Sequence, residues 1–155
     1  MLCDRVLRNL GDDRPGSGIA VPLTWQECRA RAIQKALPDG RPLRVILPPG
    51  VILRHGDVIH DEPGELIHID LIPTDVLAIQ ANADQQVGLI YAFGNLHLPL
   101  QVDGGQIITP ADGPAMTVLR ELGLTAVRDR RRFDPLPLPN GLSFRLSDDF
   151  GLTRT

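Results

Sequence analysis

The stretch "VLAIQANADQQVGLIYAFGNLHLPLQVDGGQIIT", Val76–Thr109, decides the fold. It opens with an apolar run that reads as a strand, Val76–Gln80. "ADQQVGLIYAF" then puts Ala83, Val87, Ile90 and Tyr91 on one face at helical spacing. Gly94 is expected to end that helix as a left-handed cap, with Asn95 tolerant of the same region. "LPLQV" (Leu98–Val102) reads as a strand, "DGG" (Asp103–Gly105) as a hairpin turn and "QIIT" (Gln106–Thr109) as the returning strand. Downstream, Asp112 is placed to cap a second helix with Pro114 in its first turn. Ala115, Val118, Leu119 and Leu122 form its apolar stripe, and Gly123 closes it. "LTAVRDR" is the last strand. The order β-α-β-β-α-β is the ferredoxin-like split pattern. Its second strand lies at a sheet edge, where the missing donor of Pro99 is tolerated.

Upstream of this unit the sequence changes character. "ECRARAIQKAL" alternates with a period of two and reads as a strand, followed by the turn signal "PDG" at Pro38–Gly40 and by "LRVIL" at Leu43–Leu47. "VIL", "DVIH" and "ELIHIDLI" are further short β runs, parted by "HGD" and "DEPGE". Short strands with tight turns and no helix predict a small all-β domain. The fold class is thus α+β: a flexible lead-in over residues 1–22, an N-terminal β domain over 23–73, a ferredoxin-like domain over 74–133, and a Pro-rich extended or disordered tail over 134–155.

Composition narrows the function. The chain has 155 residues, 43% of them hydrophobic but only 4% aromatic, so its core is aliphatic. A net charge of −3 with one Trp and one Tyr argues against nucleic-acid binding, which needs a basic face and stacking platforms. The one basic run, Arg128 and Arg130–Arg132, reads as a solvated strand end rather than a docking patch for an acidic partner. Two cysteines, Cys3 and Cys28, make no disulfide framework, and no apolar run approaches a membrane span. The expected location is the cytoplasm, with both thiols reduced.

Four histidines are present, His55, His60, His68 and His97, and no two have metal-ligand spacing. His55, His60 and His68 read as surface residues. Pairing across "DEPGE" would set His60 opposite residue 65 or 66. His97 stands alone after the Gly94-Asn95-Leu96 reversal. A solitary imidazole is ordinarily a hydrogen-bonded structural group. At a two-fold axis, however, one histidine per chain becomes two imidazoles around one point, a site for Ni²⁺, Cu²⁺ or Zn²⁺ with water completing the shell.

The residues Gly94-Asn95-Leu96-His97 followed by "LPLQV" with Gln101 resemble the hallmark of the urease accessory protein UreE family, the nickel metallochaperones. So do, in order, "RAR" at Arg29–Arg31, "PDGR" at Pro38–Arg41, "LPPGVIL" at Leu47–Leu53, Gly56-Asp57, "VLRELG" at Val118–Gly123 and "FDP" at Phe133–Pro135. The resemblance implies a peptide-binding-like β domain joined to a ferredoxin-like metal-binding domain. It also implies a homodimer with nickel at its interface, no enzymatic activity, and delivery of that nickel to the urease apoprotein with the accessory GTPase UreG. His97 matches the interfacial ligand. The chain departs from the family in three places. Leu96 stands where Arg is frequent. Gly113 follows Asp112 where many relatives carry a second His. No histidine follows His97, so the His-rich tail of many relatives is absent. The expectation is a minimal site of two His97 side chains per dimer. It would select poorly among divalent ions and weaken in acid, since ligating imidazoles must be neutral. Two other classes compete. One is a docking module of the urease maturation complex with little or no metal binding. The other is an acylphosphatase-like enzyme, which would need Asn82 beside an Arg-bearing phosphate loop that "ANAD" does not supply.

Overall fold

The computed structural model describes residues 1–11 and 18–136. Two β-sheets make the N-terminal half. In the first, β1 (Leu2–Cys3) runs parallel to β5 (Pro42–Ile46), and β5 pairs antiparallel with β4 (Ala32–Ala36). In the second, the order is β2 (Arg8–Asn9), β6 (Asp57–Glu62), β7 (Glu65–Leu71), β3 (Ile19–Leu23), with β3 parallel to β7. The inward residues of both sheets, among them Leu23, Leu43, Ile67 and Ile69, close one aliphatic core together with Leu47 and Leu53.

Three local expectations give way here. Much of the lead-in is structured: Leu2–Cys3, Arg8–Asn9 and Ile19–Leu23 are strands, because each completes a sheet whose neighbour would otherwise expose its backbone. The period of two in "ECRARAIQKAL" holds only from Ala32. Trp25–Cys28 is a helical turn, α1, because Thr24 and Glu27 form a capping box: the Glu27 N–H donates to Thr24 Oγ1 (3.1 Å) and the Thr24 N–H to the Glu27 carboxylate (2.8 Å). Val51–Leu53 is not a strand. Its segment bends back so that the Leu53 N–H reaches the carbonyl of Cys28 (3.0 Å).

The second half is the ferredoxin-like unit. Its elements are β8 (Thr74–Ile79), α2 (Ala83–Asn95), β9 (Gln101–Asp103), β10 (Gln106–Pro110), α3 (Gly113–Glu121) and β11 (Ala126–Arg131). The antiparallel sheet has the order β11-β8-β10-β9. Asn82 caps α2 in a box with Gln85, which commits the carboxamide that an acylphosphatase-like site would use. Asp112 caps α3, its carboxylate accepting from the Ala115 N–H at 3.0 Å. β9 is an edge strand, shorter than expected: Pro99 lies before it, and pairing with β10 starts at Gln101.

The central strand β8 is buried on both sides. Leu77 and Ile79 pack with Leu89, Phe93, Val118 and Leu119 under the helices. Val76 and Ala78 pack with Ile108 and Phe133 on the opposite face, where Trp25 of the N-terminal half closes the contact. The Trp25 and Phe133 rings meet edge to face with centroids 5.3 Å apart. The chain therefore returns after β11 to the junction between halves. Arg132 Nε donates to the Leu71 carbonyl (3.2 Å), and Arg29 donates to the carbonyls of Pro135 and Leu136 (3.4 and 3.3 Å). Residues 134–136 of the expected tail are thus held by hydrogen bonds, and the rest of it lies outside the described residues. Arg128–Arg131 lie on β11 as an exposed, ion-paired strand end, with Arg130 on Asp75 at 3.1 Å and Arg131 on Asp129 and Asp103. No helix among the described residues is long and apolar enough to cross a membrane.

Candidate metal site

The corner holding His97 is a helix C-terminus built by backbone hydrogen bonds. α2 does not stop at Gly94; it runs to Asn95, with Leu96 as its C-cap. The Leu98 N–H returns to the Phe93 carbonyl (2.9 Å) and the His97 N–H to the Gly94 carbonyl (3.2 Å). This pair of bonds is the Schellman arrangement, and the residue it places in the left-handed region is His97. His97 has φ 54° and is the only non-glycine residue with positive φ among those described. The cap therefore slid three residues past the expected glycine, onto an imidazole. The apolar contact that usually accompanies such a cap is present: Phe93 is fully buried and Leu98 packs against the same cluster.

A left-handed conformation costs an L-residue roughly 1–2 kcal/mol. Strain of this kind, held in place by its surroundings, is a marker of functional positions. The surroundings here are specific. Buried Thr109 donates its hydroxyl to the Pro99 carbonyl at 2.9 Å. The Leu136 N–H reaches the Leu100 carbonyl at 2.8 Å, and the Asp134 N–H reaches Gln101 Oε1 at 2.9 Å. The four residues after His97 are thus anchored from both sides, and Gln101 serves as a backbone clamp.

His97 itself is exposed, and α2 has no basic residue in its last turn. The partial negative charge at that helix end is left to favour a cation nearby. Along α2 toward the same corner run Val87, Ile90 and Tyr91, with Leu96 beyond; Val87 and Tyr91 are 69% and 72% exposed. Gly88 and Gly94 lie on this helix with open space where a Cβ would stand. An apolar helical stripe ending at a strained, exposed imidazole is a surface suited to a second copy.

The other candidate ligands are spent or sequestered. His55 is only 15% exposed at its side chain; its Nδ1 accepts from the Leu71 N–H (3.3 Å) and lies 3.4 Å from Asp70. His60 Nε2 lies 3.3 Å from the Glu65 carboxylate, which Arg41 also holds. His68 is buried. None of the three is the surface residue expected. The hairpin register also differs: a bulge between Val58 and His60 sets His60 opposite Ile67 and His68 opposite Val58. Both cysteines are buried, and desolvation pushes the Cys3 thiol up and that of Cys28 up to about 12, which disfavours the thiolate a metal would need. No group of three or more His, Cys, Asp or Glu side chains suited to a metal gathers among the described residues. Among the described residues of one chain no such group forms around His97, and no signal in the sequence marked its backbone conformation.

Residues 4–71 match the family model of the UreE urease accessory protein N-terminal domain, and residues 74–143 match that of its C-terminal domain. The chain is 30% identical to the urease accessory protein UreE of Deinococcus radiodurans over 79% of each chain. It is also 30% identical to that of a Synechococcus strain, over 78% of this chain and 82% of the relative. The UreE of Ralstonia nicotianae is 33% identical over 66% of this chain, a match that spans 49% of that longer protein.

Proposed function

The chain belongs to the UreE family of urease accessory proteins, and from that premise we propose that it carries Ni²⁺ as a homodimer, with His97 of each protomer holding the ion at the two-fold axis. Membership gives a role in urease maturation and an accessory rather than an enzymatic part in it. The reading then follows from chemistry. One imidazole binds a divalent ion weakly, and two converging imidazoles with water in the remaining positions suit Ni²⁺, with Cu²⁺ and Zn²⁺ as substitutes in vitro. A site with so few protein ligands exchanges its ion readily, which fits a carrier. The ion passes to the urease apoprotein together with the GTPase UreG, in the cytoplasm. The observation that carries this reading is the left-handed His97 at the end of an exposed apolar helix face.

A second reading, a docking module without metal, draws on Asp112 and Gly113, where the helix start offers a cap but no second imidazole. Nickel titration of the purified protein and of His97→Ala, with sizing, separates the two. The carrier takes one strong equivalent per two chains, and the variant loses it. No binding in either protein leaves the docking module. Unchanged binding in the variant moves the site to another histidine and overturns the proposal.

A further inference from the structure

Each of the three sheets has two edges, and five of the six edge strands are blunted. β1 and β2 are two residues long and β9 three. β3 carries Pro22, and β11 presents ion-paired arginines. Short strands, prolines and charges are the usual protections of a sheet edge. β4 carries only one such device, Lys35, whose ammonium is drawn to Glu27. It is five residues long, lacks proline, and pairs with β5 without a register shift from Ala32 to Ala36.

The hydrogen-bond phase fixes which backbone groups of β4 face outward. The Leu47 N–H donates to the Arg31 carbonyl and the Leu37 N–H to that of Arg41. Antiparallel pairs alternate, so residues 31, 33, 35 and 37 bond toward β5. Ala32, Gln34 and Ala36 therefore direct their N–H and C=O groups away from the sheet, and none of these groups bonds to another described residue. Their side chains are exposed and, apart from Gln34, small.

The flanks are cationic. Arg31 precedes the strand and Arg44 stands opposite Gln34; neither guanidinium meets a partner among the described residues. The carboxylate that reaches the strand, Glu27, is taken by Lys35 at 2.8 Å. A hollow of about 220 Å³ lined by Arg29, Arg31 and Pro48–Ile52 lies at one end. Another of about 400 Å³, lined by Gln34–Ala36 and Pro42–Arg44, lies beside the strand.

We propose that the outer edge of β4 is a docking site for an extended, acidic segment of a partner protein, which adds as a further strand to the β1-β5-β4 sheet. Main-chain bonds to Ala32, Gln34 and Ala36 supply the pairing, and the partner's carboxylates meet Arg31 and Arg44. A second copy of this chain fits poorly, since edge-to-edge pairing would bring these unneutralised arginines together. The site is independent of His97.

The test is nuclear magnetic resonance on the full chain with a blocked Val-Glu-Val-Glu-Val-Glu-Val peptide and its Val-Lys counterpart. The acidic peptide is expected to shift the amides of Ala32, Gln34 and Ala36 and slow their exchange, and the basic one to do neither. Gln34→Pro removes the central outward donor without touching a bond to β5, and binding is lost. Arg31→Glu with Arg44→Glu, both exposed, reverses the charge preference even if the proline variant folds poorly. His97→Ala binds the peptide as the parent does. No response at about 1 mM acidic peptide, equal response to both peptides, or unchanged binding in the charge-reversed variant overturns the proposal. So does a concentration-dependent shift of the β4 amides without peptide, which would make a second copy the occupant.

Discussion

Replacing His97 by glycine is expected to make the metal-free protein more stable while abolishing its nickel binding. The imidazole carries no bond that the fold needs: the cap is made by the backbone groups of His97 and Leu98, which glycine retains. Glycine also removes the left-handed penalty of roughly 1–2 kcal/mol. Its greater freedom in the unfolded chain takes back about 0.4–1 kcal/mol. The net gain is about 0.5–1 kcal/mol, or roughly 1–4 °C in Tm for a chain of this size. Alanine at the same position keeps φ 54° and gains nothing, so the glycine variant should exceed the alanine variant by about 1 kcal/mol. The assay is urea and thermal unfolding of the three proteins in chelator at one fixed protein concentration, because dimerisation would otherwise shift the midpoint. A glycine variant that unfolds before the parent would mean that the side chain supports the fold. The strain would then have no link to metal, and the case for His97 as a ligand selected against stability would fail.

If the two His97 share one ion, nickel and dimerisation are linked: the dimer dissociation constant measured by sedimentation should fall on adding Ni²⁺, and should not move in His97→Ala. Phe133→Ala should cost about 3–5 kcal/mol, as burial of a full aromatic side chain is lost. It should also shift the emission of the only tryptophan to the red, because Trp25 loses its edge contact at the junction; unchanged fluorescence would refute that contact. The Lys35 ammonium, and then the Thr24 N–H, hold the Glu27 carboxyl below its ordinary value of 4.5. A depressed carboxyl contributes stability that is complete above pH 4.5 and fades as the pH falls through its lowered folded value. Glu27→Gln should therefore flatten the acid limb of the stability curve below about pH 4.5, and an identical limb in parent and variant would rule this out.

The ferredoxin-like half was legible because its signals are local. The Asp112 cap, the Val118–Leu119 stripe and the Asp103–Gly105 turn each act within a few residues, and each sits where the pattern put it. The N-terminal half was less legible for the opposite reason. β1, β2 and β3 are strands only because β5, β6 and β7 are there to receive them, at separations of dozens of residues. Alternation in "ECRARAIQKAL" was a true strand signal from Ala32 onward, overruled earlier by the Thr24–Glu27 box. The bulge at Ile59 could not be foreseen, since it leaves no mark in a period of two.

For the candidate site, His97 was named from the sequence as an expectation, and the structure describes the geometry of its corner. Gly94 was the expected cap because glycine is the residue that tolerates positive φ, and propensity offered no reason to prefer histidine. The last turn of α2 nonetheless continues past Gly94, since Leu98 finds its place over Phe93 only when the reversal comes at residue 97. Glycine at 97 and another residue at 94 would satisfy the backbone better. The chain instead keeps its flexible residue inside the helix, on the open face beside Val87 and Tyr91, and its strained one at the helix end. An exposed Gly94 permits close approach of a second helix, and a left-handed His97 is aimed by the backbone and not by packing alone. Under the proposed function both departures from local preference would serve one arrangement, two copies of α2 meeting with their imidazoles together. Neither is accounted for by the stability of the isolated chain.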